Sequence, residues 1–327
     1  MQIKIADRTM RIVTCALASA ALSFGIAKAG IGAENPSDFS GKESMHFKSW
    51  RDLIDADRTP STDVRYFELK LDNGSKAYLC VVDLKGKRVC LKPYVNTPGC
   101  ASSNSLAMAN GFVAVNGGYF NLSNGESTSY VVVDGKVVCD PHANPALMTN
   151  LKLAPYIEKI MDRSEIRVEQ KAGKRIVEIN KHSAPPCHGA TIIHSLQAGP
   201  RLLPEAAERD EAFVRKEPGG KEIDSIGSYK QAARTALGIT DDGHALILCV
   251  AGNKQDEFSS GASLAEVAAL LKKLGCTSAI NFDGGTSTTM VVMLDNGTGG
   301  FFPKTVCGRD PETHVKSVLL VEPYAER

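Results

Sequence analysis

The 327-residue sequence lacks the spacings that usually hold metals, nucleotides or acyl groups. No Cys-x-x-Cys occurs among its nine cysteines, so they do not resemble a zinc site. Seven histidines, His46, His142, His182, His188, His194, His244 and His314, include no close pair, which argues against a histidine-rich metal site. There is no Gly-x-Ser-x-Gly elbow, and Ser287 has no base that the sequence makes visible. The glycine-rich turns match neither a Walker sequence nor a dinucleotide fingerprint. No metal and no cofactor are expected.

Net charge is also missing, at +1 for the whole chain. The first residues carry much of the positive charge: Lys4, Arg8 and Arg11 precede an uncharged run from Ile12 to Ile26, and Ala27-Lys28-Ala29 follows. A basic start, a short apolar run and an Ala-x-Ala end describe a secretory signal peptide. The run is too short for a comfortable membrane span, and no later stretch is long enough. Cleavage after Ala29 is expected, giving a secreted or periplasmic protein. Loss of residues 1–29, with Lys4, Asp7, Arg8, Arg11 and Lys28, takes the net charge from +1 to −2. Such a chain has nothing basic enough to track a nucleic-acid backbone. Eight cysteines survive cleavage, an even number that permits disulfides in an exported protein. Cys80 and Cys90 flank the Lys85-Gly86 turn as candidate cross-strand neighbours, whereas Cys249 and Cys276 sit in apolar settings that suit buried thiols.

What the chain does contain is a succession of short strands. Residues 30–63 read as a leader strapped to the surface or partly mobile, with a short helix around Trp50 to Ile54. Tyr66 to Leu71 and Lys76 to Val82 flank Asn73-Gly74, a strong hairpin signal. Arg88 to Val95 follows, then a short helix over 102–110 and a buried strand over 112–115. Asp134-Gly135 and Asp242-Gly243 mark further hairpins, and 167–170 pairs with 175–179 around Gly173. Lys316 to Val321 closes the chain. Hairpins dominate and helices are few, so the expected fold class is α+β with mainly antiparallel strands. Residues 64–327 make one domain, since no linker divides them.

One helix is explicit. Ser263-Leu264-Ala265-Glu266 is a capping box, and Leu264, Val267, Leu271 and Leu274 recur at helical spacing. Gly275 follows as its left-handed end. The strand 279–282 then leads into Asp283-Gly284-Gly285-Thr286-Ser287, and the strand 290–294 succeeds it. Paired glycines admit a close ligand, and a turn rich in N–H and O–H groups can bind an anion.

Three other stretches share this character at strand ends: Asn116-Gly117-Gly118, Gly199-Pro200-Arg201 and Arg234. Together they offer carboxylate, amide, guanidinium and hydroxyl groups, a set suited to a sugar phosphate. Each has an ordinary alternative: turn chemistry for the first two, and an ion pair with Asp283 for Arg234.

The ordered set resembles the phosphodiester glycosidase family. The resemblance rests on Val115 to Phe120, Ala198-Gly199-Pro200 with Leu203, Arg234 to Ile239, Ser263 to Val267, and Asn281 to Thr288. It implies an exported enzyme that hydrolyses the bond between a sugar's anomeric carbon and a phosphodiester. In that reading Asp283 is the acid/base or positioning carboxylate and Arg234 binds phosphate. Asn116, Gly117, Gly118 and Arg201 contact substrate, as do Gly284, Gly285, Thr286 and Ser287. Two departures stand out: Thr286 replaces a glycine common in the family, and Ala251-Gly252-Asn253 replaces an Asp-Gly-Arg. Residues 150–187 match nothing in the family pattern. A glycan-binding protein without turnover and a phosphodiesterase releasing sugar 1-phosphate are the rival readings.

Overall fold

Three antiparallel sheets share one apolar core. The structure is a computed structural model, and it describes residues 47–53, 59–86, 88–96, 111–217, 219–253 and 260–324. Residues 44–327 form one compact unit, an α+β domain built mainly of strands. The expected signal peptide, Cys100 and the helix over 102–110 lie outside the described residues.

The first sheet has six strands, in the order Val64–Lys70, Lys76–Asp83, His244–Val250, Arg234–Thr240, Cys276–Asn281 and Arg201–Leu203. The second orders Phe301–Cys307, Met290–Asp295, Val113–Asn116, Ser317–Pro323 and Val89–Val95. The third orders Lys136–Cys139, Val131–Val133, Thr191–Gln197, Ser164–Lys171 and Lys174–Lys181. Leu237, Ile247 and Phe282 of the first sheet region meet Val113 and Leu319 of the second and Val131 and Leu196 of the third. The alternation on His244–Val250 explains why that strand reads as one apolar run. Ala245, Ile247 and Cys249 face this shared core, while Leu246, Leu248 and Val250 face the other side.

On that other side lies the helix Leu264–Lys273. Its capping box forms as expected: Ser263 Oγ accepts from the Glu266 N–H, and Ser263 N–H donates to Glu266 Oε2 over 2.7 Å. Gly275, at φ +102°, turns the chain out. Leu271 is fully buried against the sheet, a contribution of roughly 1.5–3 kcal/mol. Phe47 and Trp50 join this layer, and Trp50 N–H donates to the Leu274 carbonyl at the helix end. This part of the leader, with a single 3-10 turn at Trp50–Asp52, is therefore core material.

One expectation changes. Cys80 and Cys90 are not cross-strand neighbours: Cys80 lies opposite Tyr66 and Ile247 in the first sheet, whereas Cys90 lies opposite Glu322 in the second. The turn after Asp83 moves the chain to a different sheet instead of folding it back. Cys80, Cys90, Cys139, Cys187, Cys249 and Cys276 are free thiols, Cys249 and Cys276 in buried positions. The strand after the Asp283 turn does not pair with the strand before it; Met290–Asp295 joins the second sheet beside Val113–Asn116. The motif thus bridges two sheets.

Candidate active site

Asp283 sits where these two sheets meet. Its N–H donates to the Gly117 carbonyl over 3.1 Å, and its own carbonyl accepts from Asn116 Nδ2 over 2.6 Å. The glycine-rich turn is thereby fastened to the end of Val113–Asn116. Behind it, Phe282 N–H donates to the Thr235 carbonyl and Gly285 N–H to the Ala233 carbonyl, which fastens the turn to the start of Arg234–Thr240. The Asp283 carboxylate accepts the Gly284 N–H at 2.9 Å and a hydrogen bond from Ser287. Both favour the anion, but burial outweighs them and lifts the carboxyl to a pKa of about 6. No lysine, arginine or histidine pairs with it among the described residues, so its expected ion pair with Arg234 is absent.

Asn116 is fully buried, and both ends of its amide are used within the fold. Its Oδ1 accepts from Thr235 Oγ1 at 2.6 Å and from the Thr289 N–H at 3.1 Å. It holds three strands in register at Asp283, with its Oδ1 taken up by two donors and one Nδ2 hydrogen by the Asp283 carbonyl. Gly117 and Gly118 are buried too, and protein already fills the space above their Cα atoms. An added Cβ would lie 2.7 Å from Ser317 Oγ at the first and 2.5 Å from the Gln197 carbonyl at the second. The close approach they permit is internal.

Arg234 is 2% exposed. Its Nε donates to Ala262 O, Nη1 to Ile226 O, and Nη2 to both Gly227 O and Lys230 O. Four of its five N–H groups thus hold the loop 226–230 and the segment before the helix. Phosphate recognition, expected from its fork, has little of the fork left. Arg201 is half-buried, pairs across from Ile280, and donates from Nε to the Glu205 carbonyl. Gly285 is exposed, Gly284 and Thr286 half-buried, and Ser287 buried, so the turn itself is the accessible part of the predicted set.

Three further residues crowd around Gly199. The Tyr119 hydroxyl lies 2.9 Å from the Gly199 carbonyl and accepts from Asn281 Nδ2 at 2.9 Å. Burial and the nearby Asp283 charge raise its pKa, so it stays a neutral hydroxyl. Glu211 is buried, and its Oε1 accepts from Ser164 Oγ and the Arg201 N–H. Its Oε2 has no partner, and burial raises its pKa. Arg163 stacks 3.7 Å from the Phe213 ring centroid and donates Nε to the Glu211 carbonyl. Its Nη groups make no hydrogen bond among the described residues. Burial lowers its pKa to about 10, which still leaves it cationic at neutral pH. Arg163 and Glu211 come from stretches without a recognisable motif, so nothing in the sequence singles them out.

Three of the seven buried side-chain polar atoms left without a hydrogen bond among the described residues lie in this corner. Asn281 Oδ1, Thr288 Oγ1 and Glu211 Oε2 are buried without hydrogen bonds, and all three belong to the Asp283 motif or to the Gly199 cluster beside it. A cavity of about 300 Å³ lies elsewhere, between Val89, Leu91, Val168, Arg175, Ile239 and Tyr324. No carboxylate lines it, whereas a second cavity of about 450 Å³ is lined by Lys92, Asp134, Arg175, His194 and Glu322; Asp283 lines neither.

The family model for phosphodiester glycosidases matches residues 109–322. The catalytic domain of zebrafish N-acetylglucosamine-1-phosphodiester α-N-acetylglucosaminidase, auto-inhibited by its pro-peptide, is similar in structure, with a TM-score of 0.55 at 18% identity. That similarity covers 84% of this chain and 87% of that one. A hypothetical protein from Synechocystis gives a TM-score of 0.50 at 14% identity, over 80% of this chain and 62% of that one. At such identities the likeness speaks for the fold alone. No curated protein matches the chain.

Proposed function

Because the chain belongs to the phosphodiester glycosidase family, we propose that it is an exported hydrolase that cleaves the bond between a sugar's anomeric carbon and a phosphodiester. The substrate class is an N-acetylglucosamine-1-phosphodiester or a close analogue, by similarity to the zebrafish catalytic domain, in envelope or exopolysaccharide metabolism. The observation that carries the reading is the Asp283 carboxylate, which has no cationic partner and is lifted by burial to about pKa 6. A group poised there is mostly ionised at neutral pH yet close enough to exchange a proton.

Phosphate already leaves well, so protonating it is the lesser task. The harder one is to stabilise positive charge at the anomeric carbon and direct water to it, and an ionised Asp283 suits both. Asn116 acts through the main chain, holding Asp283 in place. Thr286 and Ser287 offer hydroxyl and main-chain donors beside it. Arg163, with its Nη groups uncommitted, takes the phosphate-binding role, and Arg234 shapes the adjoining loop. Membrane anchorage is not part of the reading: no helix among the described residues is long and apolar enough to span a bilayer.

Incubation with a panel of sugar-1-phosphodiesters, followed by product identification, tests it. Free sugar plus a phosphomonoester is expected. Sugar 1-phosphate plus alcohol would make the protein a phosphodiesterase, and tight binding without any product would make it a glycan receptor.

A further inference from the structure

The hairpin Ser164–Lys171 and Lys174–Lys181 carries an unusual density of charge on one face. Its register sets Arg167 opposite Glu178 and Glu169 opposite Ile176, so Glu165, Arg167, Glu169 and Glu178 project the same way. The segment after the hairpin folds back over that face. Arg167 donates to the carbonyls of Lys181, His182 and Ala184, and the Cys187 N–H donates to Glu169 Oε2 over 2.8 Å. Glu165 has its countercharges in place, with Arg167 Nε at 2.6 Å and His182 Nδ1 at 2.8 Å. Glu169 and Glu178 have none among the described residues; the nearby Lys171 side chain runs past Gly189 instead.

Glu169 is 0% exposed, and its Oε1 has no hydrogen-bond partner among the described residues. Glu178 takes Asn180 Nδ2 on one oxygen and the Cys187 thiol on the other, at 2.8 Å each. One ligand atom from each of Glu169, Glu178 and Cys187 lies within 4.8 Å of the others. A buried carboxylate without a cation is costly, and a carboxylate–carboxylate–thiol triangle is a donor set for a divalent metal. We propose that Glu169, Glu178 and Cys187 bind a thiophilic divalent cation of the zinc type, which pins the segment around Cys187 to the hairpin. Sulfur selects zinc or cadmium over calcium and magnesium, and the two carboxylates supply the remaining protein ligands. On binding, the Cys187 thiol loses the proton it now donates to Glu178, one proton being released per metal. The site does not involve Asp283, so its test needs no substrate.

The full chain, stripped with a chelator, is titrated with cadmium while the ultraviolet thiolate-to-metal charge-transfer band is followed. One equivalent should generate the band, zinc should displace the cadmium, and zinc should raise the melting temperature. Cys187→Ser should abolish the band and weaken zinc binding by on the order of 100-fold; Glu178→Gln should weaken it by roughly 10-fold or more. Both residues are only partly buried, so these variants are expected to fold even if Glu169→Gln does not. A band that persists in Cys187→Ser, calcium binding as tight as zinc, or no binding by the wild type would overturn the proposal.

Discussion

Asn116 Nδ2 donates to the Asp283 carbonyl over 2.6 Å and so joins two glycine-bearing motifs 167 residues apart in the chain. With Thr235 and Thr289 on its Oδ1, this one amide connects the two sheets at the point where Asp283 emerges. Replacement by alanine strands a buried hydroxyl, an N–H and a carbonyl together. Asn116→Ala is expected to cost on the order of 3 kcal/mol in denaturant unfolding, since each orphaned buried group costs about 1–3 kcal/mol. Turnover should fall with it, because Asp283 loses its anchor. Unchanged stability would show that the amide is not the connection described.

Arg234 and Arg163 make opposite predictions. Arg234→Lys removes the fork that holds the Ile226, Gly227, Lys230 and Ala262 carbonyls, so it should melt several degrees early while folded molecules keep most of their kcat. Arg163→Gln removes a desolvated cation with free Nη groups, and should leave the melting temperature nearly unchanged. Its kcat/KM for a sugar phosphodiester should drop roughly 10- to 150-fold, the equivalent of a charge-assisted hydrogen bond of about 1.5–3 kcal/mol. Reversal of the two phenotypes would return phosphate recognition to Arg234.

Gly199 has φ +98°, and a Cβ there would stand 2.1 Å from Glu211 Oε2 and 3.0 Å from the Phe213 ring. Gly199→Ala should therefore add backbone strain and a steric clash together, costing about 3 kcal/mol or more. Gly297, at φ +76° with nothing within 4 Å of its Cβ position, isolates the backbone component. If thermal melts place Gly199→Ala no lower than Gly297→Ala, the Glu211 side chain yields freely and does not buttress the site.

The local parts of this architecture were legible in the sequence. Asn73-Gly74, Asp134-Gly135 and Asp242-Gly243 each join paired strands, and Ser263 and Glu266 cap the helix as their spacing requires. Asp283 could be singled out because glycines and hydroxyls surround it. What local pattern cannot carry is the partner of a side chain. Arg234 opens its own stretch at a strand end in the sequence, yet its guanidinium is consumed by a loop that begins at Ile226. Asn116 reads as a polar strand end open to ligand, but lies beneath Thr289 and Thr235. The strand Phe301–Cys307 escaped notice because five of its residues face solvent on a sheet edge and Pro303 interrupts it. Glu169, Glu178 and Cys187 form no motif, since two strands and a loop bring them together.

Asp283→Asn gives the sharpest test, because chemistry and stability should move in different directions. Folding raises the Asp283 pKa from an ordinary 3.8 to about 6, so the folded protein holds the proton more tightly than the unfolded chain. This contribution to stability is fully present below about pH 3.8 and is lost as pH rises through about 6. At pH 7.5 the ionised carboxylate, without a cationic partner among the described residues, therefore costs the fold on the order of 3 kcal/mol. Asparagine is neutral at every pH, so the variant should match or exceed the wild-type melting temperature at pH 7.5, and that advantage should fade by pH 4. Meanwhile kcat should fall by roughly 100-fold or more, the scale of a lost acid–base group. The wild-type rate should rise with pH through about 6 as the carboxylate ionises. A variant that turns over normally but melts early would make Asp283 a structural cap and remove it from the chemistry.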